Sequence, residues 1–99
     1  MNTAYSFIKN YIPLRNELKS RTDGDFLIIS NRNGEIYYLN GSARDMWLLL
    51  DGSISIDELC GKILGEYKVD REQLENDIVN FIRDLQWKKL LRLRTGGLL

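Results

Sequence analysis

Residues 37–52 read YYLNGSARDMWLLLDG, and this stretch joins two kinds of secondary structure within sixteen positions. The aromatic pair at its start is typical of a β-strand, and the Leu-Asn-Gly-Ser sequence interrupts the apolar run. Ser42 with Asp45 resembles a helix cap before the apolar residues 46–50, and Asp51-Gly52 ends that run. The stretch therefore predicts a strand, a turn and a short helix, and it contains no catalytic motif.

The two runs upstream of this helix, FLIIS (26–30) and EIYYL (35–39), predict an antiparallel hairpin because Asn33-Gly34 lies between them. A two-residue turn at Asn33-Gly34 pairs Arg32 with Glu35. The same register sets Ile29 opposite Tyr38 and Ile28 opposite Leu39.

In this register both faces of the hairpin are apolar. One face carries Phe26, Ile28, Tyr37 and Leu39, and the other carries Leu27, Ile29, Ile36 and Tyr38. A hairpin with one face in water alternates apolar and polar residues. We therefore expect a cover for the second face, either the N-terminal segment or a partner peptide.

Two further helices follow, each with a start signal. Ser55 with Glu58 forms a capping box for the second helix, and Asp70 with Gln73 caps the third. The helical period places Cys60 on a buried stripe, as a small apolar residue. The core stripe of the third helix is Leu74, Ile78, Phe81 and Leu85. The sequence after Trp87, KKLLRLR, predicts either a short strand or a basic tail. The last five residues, TGGLL, predict a frayed end.

The N-terminal third carries weaker signals. Residues 4–12 have a helical stripe that Pro13 must end, so a short helix or a loose extension is expected. Residues 14–18 are a weak strand candidate, and residues 22–25 form a turn. The order of elements predicts an α+β, winged helix-turn-helix-like fold, with a three-stranded antiparallel sheet packed on three helices. We expect residues 1–12 to form an extension, residues 13–94 to form the domain and residues 95–99 to form a flexible tail.

Composition limits the function of a chain of 99 residues with 43% hydrophobic content. The chain has no histidine and one cysteine, which removes the usual general base, the usual zinc ligand and an internal disulfide. Catalysis by carboxylates alone remains open, but acids scattered over helix surfaces are typical of solvated faces. We therefore predict a protein that is not an enzyme and has no metal or cofactor. No signal peptide or membrane span is expected, and the lone thiol agrees with a cytoplasmic location.

Two functional interpretations remain open for this layout. A winged-helix DNA binder is disfavoured because the third helix is acidic, although Lys88, Lys89, Arg92 and Arg94 cluster beyond it. The alternative is capture of an extended peptide along the free edge of the strand at 35–39. A net charge of zero favours local binding, with no nucleic-acid or membrane partner.

The block YYLNGSARDMWLLLDG, followed by SISIDELCGKILGEY and DIVNFIRDLQWKKLL, resembles the PqqD family of leader-peptide-binding proteins, also called RiPP recognition elements. The resemblance rests on Leu39-Asn40 before the first helix, Asp51-Gly52 after it, Tyr67 at the end of the second, and Asp77, Phe81 and Leu85 in the third. It spans about residues 13–93. Two departures are Lys88-Lys89, where the family often has a glycine, and a longer, more aromatic N-terminal stretch.

The resemblance implies that the leader segment of a ribosomally made precursor peptide binds between the third strand and the third helix. It implies partners that do the chemistry: a leader protease or a radical SAM maturation enzyme. The standalone length favours a lasso peptide pathway. The leader-binding residues it implies are Glu35, Ile36, Tyr37, Tyr38, Asp77, Ile78, Phe81 and Asp84. The strand residues supply rigid apolar surface, and the two aspartates can pair a basic leader residue.

Overall fold

The computed structural model describes residues 3–95 and shows an α+β domain. The helices are α1 (Thr3–Ile8), α2 (Gly41–Leu49), α3 (Ile56–Glu66) and α4 (Arg71–Trp87). The strands are β1 (Tyr11–Arg15), β2 (Lys19–Asp23), β3 (Phe26–Ser30), β4 (Ile36–Leu39) and β5 (Leu91–Thr95). A three-stranded antiparallel sheet, in the order β2-β3-β4, confirms the predicted sheet, and β1 and β5 form a second, two-stranded sheet.

The β3–β4 hairpin is present, but its predicted register is wrong by one residue. The structure pairs Ile28 with Tyr38 and Ile29 with Tyr37. A one-residue slip moves every side chain of β4 to the opposite face. Leu27, Ile29, Tyr37 and Leu39 therefore share the core face, while Phe26, Ile28, Ile36 and Tyr38 share the outer face.

The buried side chain of Asn31 explains this register. Its Oδ1 accepts hydrogen bonds from the backbone N–H groups of Asn33 and Glu35, each at 3.0 Å. Its Nδ2 donates to Glu35 Oε1 and to the carbonyl of Lys88, each at 2.8 Å. The loop also bends earlier than predicted, because the Gly34 N–H donates to the Asn31 carbonyl at 3.1 Å. Glu35 therefore pairs with Asn31 and not with Arg32.

The N-terminal third differs most from the prediction, because its strands pair over long distances in sequence. The helix ends at Ile8, and Pro13 lies in the middle of β1, opposite Leu93 of β5. The Asn16 N–H donates to the Leu90 carbonyl at 2.9 Å, and antiparallel hydrogen bonds alternate along a strand pair. Position 13 therefore points its backbone away from β5, and a proline there costs no hydrogen bond of the ladder. The weak strand predicted at 14–18 lies instead at Tyr11–Arg15. The sequence did not predict β2, which starts at Lys19.

The helix starts agree with the sequence where a side chain caps the helix. Ser55 and Glu58 form the predicted capping box of α3, with bonds of 3.1 and 2.8 Å. Asp70 accepts from the Gln73 N–H at the start of α4. The predicted cap at Ser42 is wrong, since α2 already begins at Gly41, after Asn40, without a side-chain cap.

The chain leaves α4 through Lys89, which has a left-handed backbone with φ of 59°. The Leu90 N–H donates to the Leu85 carbonyl and the Lys89 N–H donates to the Gln86 carbonyl. This pair of bonds is the Schellman ending that glycine usually provides. Lysine therefore adopts here a conformation that glycine adopts more readily, and β5 follows directly.

The core lies between the sheets and the helices. Its largest fully buried side chains include Trp47 of α2, Ile56 and Leu59 of α3, and Ile78 of α4. Cys60 has no exposed surface, as predicted. Within residues 3–95, no helix combines the length and apolarity needed to cross a membrane.

The N-terminal helix packs on α3 and α4 and not on the outer face of the three-stranded sheet. The hydroxyl of the buried Tyr5 donates to Asp57 Oδ1 at 2.6 Å, and the Asp57 N–H donates to the Lys9 carbonyl at 2.9 Å. Burial, together with the hydrogen bond to Asp57, raises the pKa of Tyr5 well above its usual range. Phe26, Ile36 and Tyr38 on the outer face consequently remain exposed.

Candidate functional site

The free edge of β4 is the first part of the candidate site. β4 pairs with β3 on one side and ends the sheet on the other. The Asn31 N–H donates to the Glu35 carbonyl at 3.0 Å, so positions 35, 37 and 39 face β3 in the alternating antiparallel pattern. The backbone groups of Ile36 and Tyr38 therefore point toward the free edge, where they are available to another strand.

The side chains of β4 divide between the two faces of the sheet. Leu39 is buried and Tyr37 is half-buried against the core. Ile36 and Tyr38 are 60% and 63% exposed on the outer face, where Tyr38 meets Phe26 edge to face with ring centroids 6.2 Å apart. A chain added along β4 would thus meet large apolar side chains at the edge.

The C-terminal end of helix α4 lies close to the start of β4 and forms the second part of the site. At one end, Lys88 Nζ lies 5.0 Å from the centre of the Tyr37 ring and 2.8 Å from Asp84 Oδ2. At the other end, Gly41 and Asp77 line the same cavity of about 570 Å³. We call the space between these two ends the β4–α4 groove. Lys88 lies at its Tyr37 end, and the cavity residues Gly41 and Asp77 lie at its other end.

The residues expected to bind the leader occupy different parts of this arrangement. Glu35 precedes β4 and is exposed, with its carboxylate bonded to Asn31. Asp77 is exposed at the cavity and accepts a hydrogen bond from Gln73 Nε2 at 2.9 Å. Ile78 has no exposed surface and Phe81 is 9% exposed, so both are part of the core beneath the groove. Asp84 is already paired with Lys88.

Three further residues shape the site. The sequence did not indicate any of them as a binding residue. Asn31 sets the register of β4 through a bond to Lys88, 57 positions away, and no local pattern signals such a contact. Lys88 bridges α4 and β4, and its spacing of four residues from Asp84 is the one available signal. Tyr67 lines the cavity, although the sequence marks it only as the end of a helix.

The site presents exposed groups that suit binding. Within residues 3–95, no three acidic, histidine or cysteine side chains lie close enough together to hold a metal ion. The single thiol, Cys60, is fully buried. The exposed features are backbone groups, aromatic surface and carboxylates, which recognise an extended peptide well.

The chain is similar to known proteins in both sequence and structure. The family model of coenzyme PQQ synthesis protein D (PqqD) matches residues 25–91. Among solved structures, the chain is similar to TbiB1 in complex with the TbiA(beta) leader peptide, with 27% identity and a TM-score of 0.66. That similarity covers 82% of this chain and 90% of TbiB1. No curated protein matches the chain.

Proposed function

Because this chain belongs to the PqqD family, we propose that it binds the leader segment of a ribosomally synthesised precursor peptide. It acts as a RiPP recognition element, an adaptor that presents the precursor to a modifying enzyme or a leader protease and performs no chemistry itself. One observation carries the proposal. An apolar edge strand with unpaired backbone groups lies beside α4, in a chain similar to a protein whose structure contains a leader peptide.

The leader binds as a fourth strand along β4. The backbone groups of Ile36 and Tyr38 supply the hydrogen bonds, and the adjoining side chains supply the selectivity. The proposed contacts are Glu35, Ile36, Tyr37, Tyr38 and Asp77. Ile78 and Phe81 support the site from within the core. Asp84 contributes indirectly, because its carboxylate holds the ammonium group of Lys88.

The pathway we favour is that of a lasso peptide, with a separate leader protease as the partner in the cytoplasm. Radical SAM maturation is the alternative. In either pathway the domain binds a peptide and not DNA. The helix that would enter a major groove, α4, carries Glu72, Glu75, Asp77 and Asp84 against Arg71 and Arg83. Its net negative charge opposes an approach to phosphates.

A binding titration tests the proposal. The probe is a fluorescein-labelled synthetic leader of a precursor peptide, chosen from the short reading frames adjacent to the gene, and the control is the same peptide with its residues scrambled. We expect a Kd of micromolar or tighter for the leader and at least tenfold weaker binding of the control. Absence of leader binding, together with duplex DNA binding that weakens steeply with salt, would instead support the DNA-binding alternative.

Hydrogen exchange tests the mode of binding. On addition of the leader, the amide protons of Ile36 and Tyr38 should exchange more slowly, since each gains a hydrogen-bond acceptor. Ser20 and Thr22 of β2 are the matched controls, because the same alternation turns their backbone groups toward the opposite edge. Protection of the β2 amides alone, or of neither pair in a saturated complex, would contradict strand addition to β4.

A further inference from the structure

The cavity at the Gly41 end of the β4–α4 groove has features that strand addition does not use. Its volume of about 570 Å³ falls within the range of roughly 300–1,000 Å³ typical of pockets for small ligands. Its walls come from the whole length of α2, the second half of α3 with the residues that follow it, and the first half of α4. The cavity is therefore large enough to hold a bulky side chain of a bound peptide.

The mouth of the cavity is apolar and exposed. Leu48, Tyr67 and Val69 line it, and their side chains are 55%, 50% and 45% exposed. Large apolar side chains gathered around one opening mark a surface that a partner covers. An aromatic or long aliphatic side chain entering here would contact this apolar surface and reduce its exposure to water.

The rim of the cavity is acidic. Asp45, Glu66 and Asp77 line it, and the lining contains no lysine or arginine. Four acidic side chains elsewhere form ion pairs: Glu17 with Arg15, Asp57 and Glu75 with Arg71, and Asp84 with Lys88. Among residues 3–95, the three rim carboxylates form no such pair. Each is exposed, so a cation at the rim would gain favourable interactions without a large desolvation cost.

The position of Gly41 indicates what occupies the cavity. Gly41 follows β4 by two residues and lines the cavity, so a peptide lying along β4 reaches the cavity where it extends past Leu39. From these observations we infer that the cavity binds a bulky apolar side chain of the leader, with a neighbouring lysine or arginine held at the rim by Asp45, Glu66 and Asp77. This inference rests on the proposed leader binding and adds the chemistry of the recognised segment.

Charge-matched variants test the inference. The cavity variant combines Asp45→Asn, Glu66→Gln and Asp77→Asn. The control combines Asp23→Asn, Asp25→Asn and Glu72→Gln, three exposed acids outside the cavity with the same total charge change. With the fluorescein-labelled leader we expect the cavity variant to bind about tenfold more weakly, and the control to stay within about twofold of wild type. Equal affinities of the two variants would overturn the inference and leave leader binding itself intact.

A small probe makes the test independent of the leader sequence. Tryptamine joins an aromatic ring to a cation, and indole-3-acetate joins a similar ring to an anion. In an NMR titration of the full chain, tryptamine should shift the signals of Leu48, Tyr67 and Val69 at lower concentration than indole-3-acetate. The cavity variant should lose that preference. No preference in the wild-type chain would contradict the inference, whereas tryptamine binding without any leader binding would contradict the proposed function.

Discussion

β2 and β4 form the two edges of one three-stranded sheet, yet their side chains differ in chemistry. β2 reads KSRTD and all five residues are exposed, whereas β4 reads IYYL and buries Leu39. Charged residues on an edge strand discourage another strand from pairing with it. The β4 edge lacks such charges and lies beside α4. The comparison indicates that one edge of the sheet is protected while the other remains suited to binding.

The largest effect should come from the residue that fixes the position of β4. Asn31→Ala removes four hydrogen bonds made by a fully buried side chain, including the bond to the Lys88 carbonyl. We expect the free energy of unfolding to fall by about 3 kcal/mol. Urea denaturation followed by tryptophan fluorescence measures it.

Asn33→Ala is the matched control for this substitution. Asn33 lies in the same loop, its side chain is exposed, and its own backbone N–H donates to Asn31. We expect a loss of less than about 0.5 kcal/mol. Similar losses for both variants would mean that the hydrogen bonds of the Asn31 side chain do not stabilise the hairpin.

A pair of prolines compares the two edges directly. Ile36→Pro removes an N–H that faces the free edge of β4, and Ser20→Pro removes the equivalent N–H from β2. We expect leader affinity to fall at least tenfold for Ile36→Pro, equivalent to about 1.4 kcal/mol, and to stay within about twofold for Ser20→Pro.

Both proline variants should fold, because Pro13 already occupies an outward-facing position in the middle of β1. Circular dichroism and the NMR spectrum of each variant check this before titration. Unchanged affinity in a folded Ile36→Pro variant would mean that the leader does not use the β4 edge.

The smallest effect concerns the lysine that bridges the groove. A double-mutant cycle of Lys88→Met and Tyr37→Leu measures the interaction of the ammonium group with the ring, which is 5.0 Å away. At a partly exposed site we expect a coupling free energy of about 0.5 kcal/mol. The control cycle pairs Tyr37→Leu with Lys62→Met, an exposed lysine on α3, and should give no coupling. A coupling of zero in the first cycle would mean that Lys88 does not hold the groove at this end.

The features that the sequence predicted correctly depend on neighbouring residues. Ser55 with Glu58 and Asp70 with Gln73 determine the starts of α3 and α4 because the capping bonds span three positions. The hairpin of β3 and β4 was also predictable, since two apolar runs flank a turn sequence. Likewise, β4 as an edge strand follows from the order of the elements.

The features that the sequence missed depend on contacts between distant residues. The register of β4 follows from a bond between Asn31 and Lys88, and the β1–β5 sheet joins the two ends of the described chain. Pro13 is tolerated in β1 because of the direction its backbone faces, which no pattern in the sequence reveals. The cavity combines residues of three helices, so its volume and acidic rim emerge only from packing.

The Asn31 side chain also offers a spectroscopic reporter. Its amide group is fully buried and donates to the β3–β4 loop on one side and to the end of α4 on the other. The two protons of this NH₂ group therefore sense the loop and the helix separately in a single NMR spectrum. When peptides of increasing length are added, this one pair of side-chain signals shows whether the hairpin and the helix move together or apart.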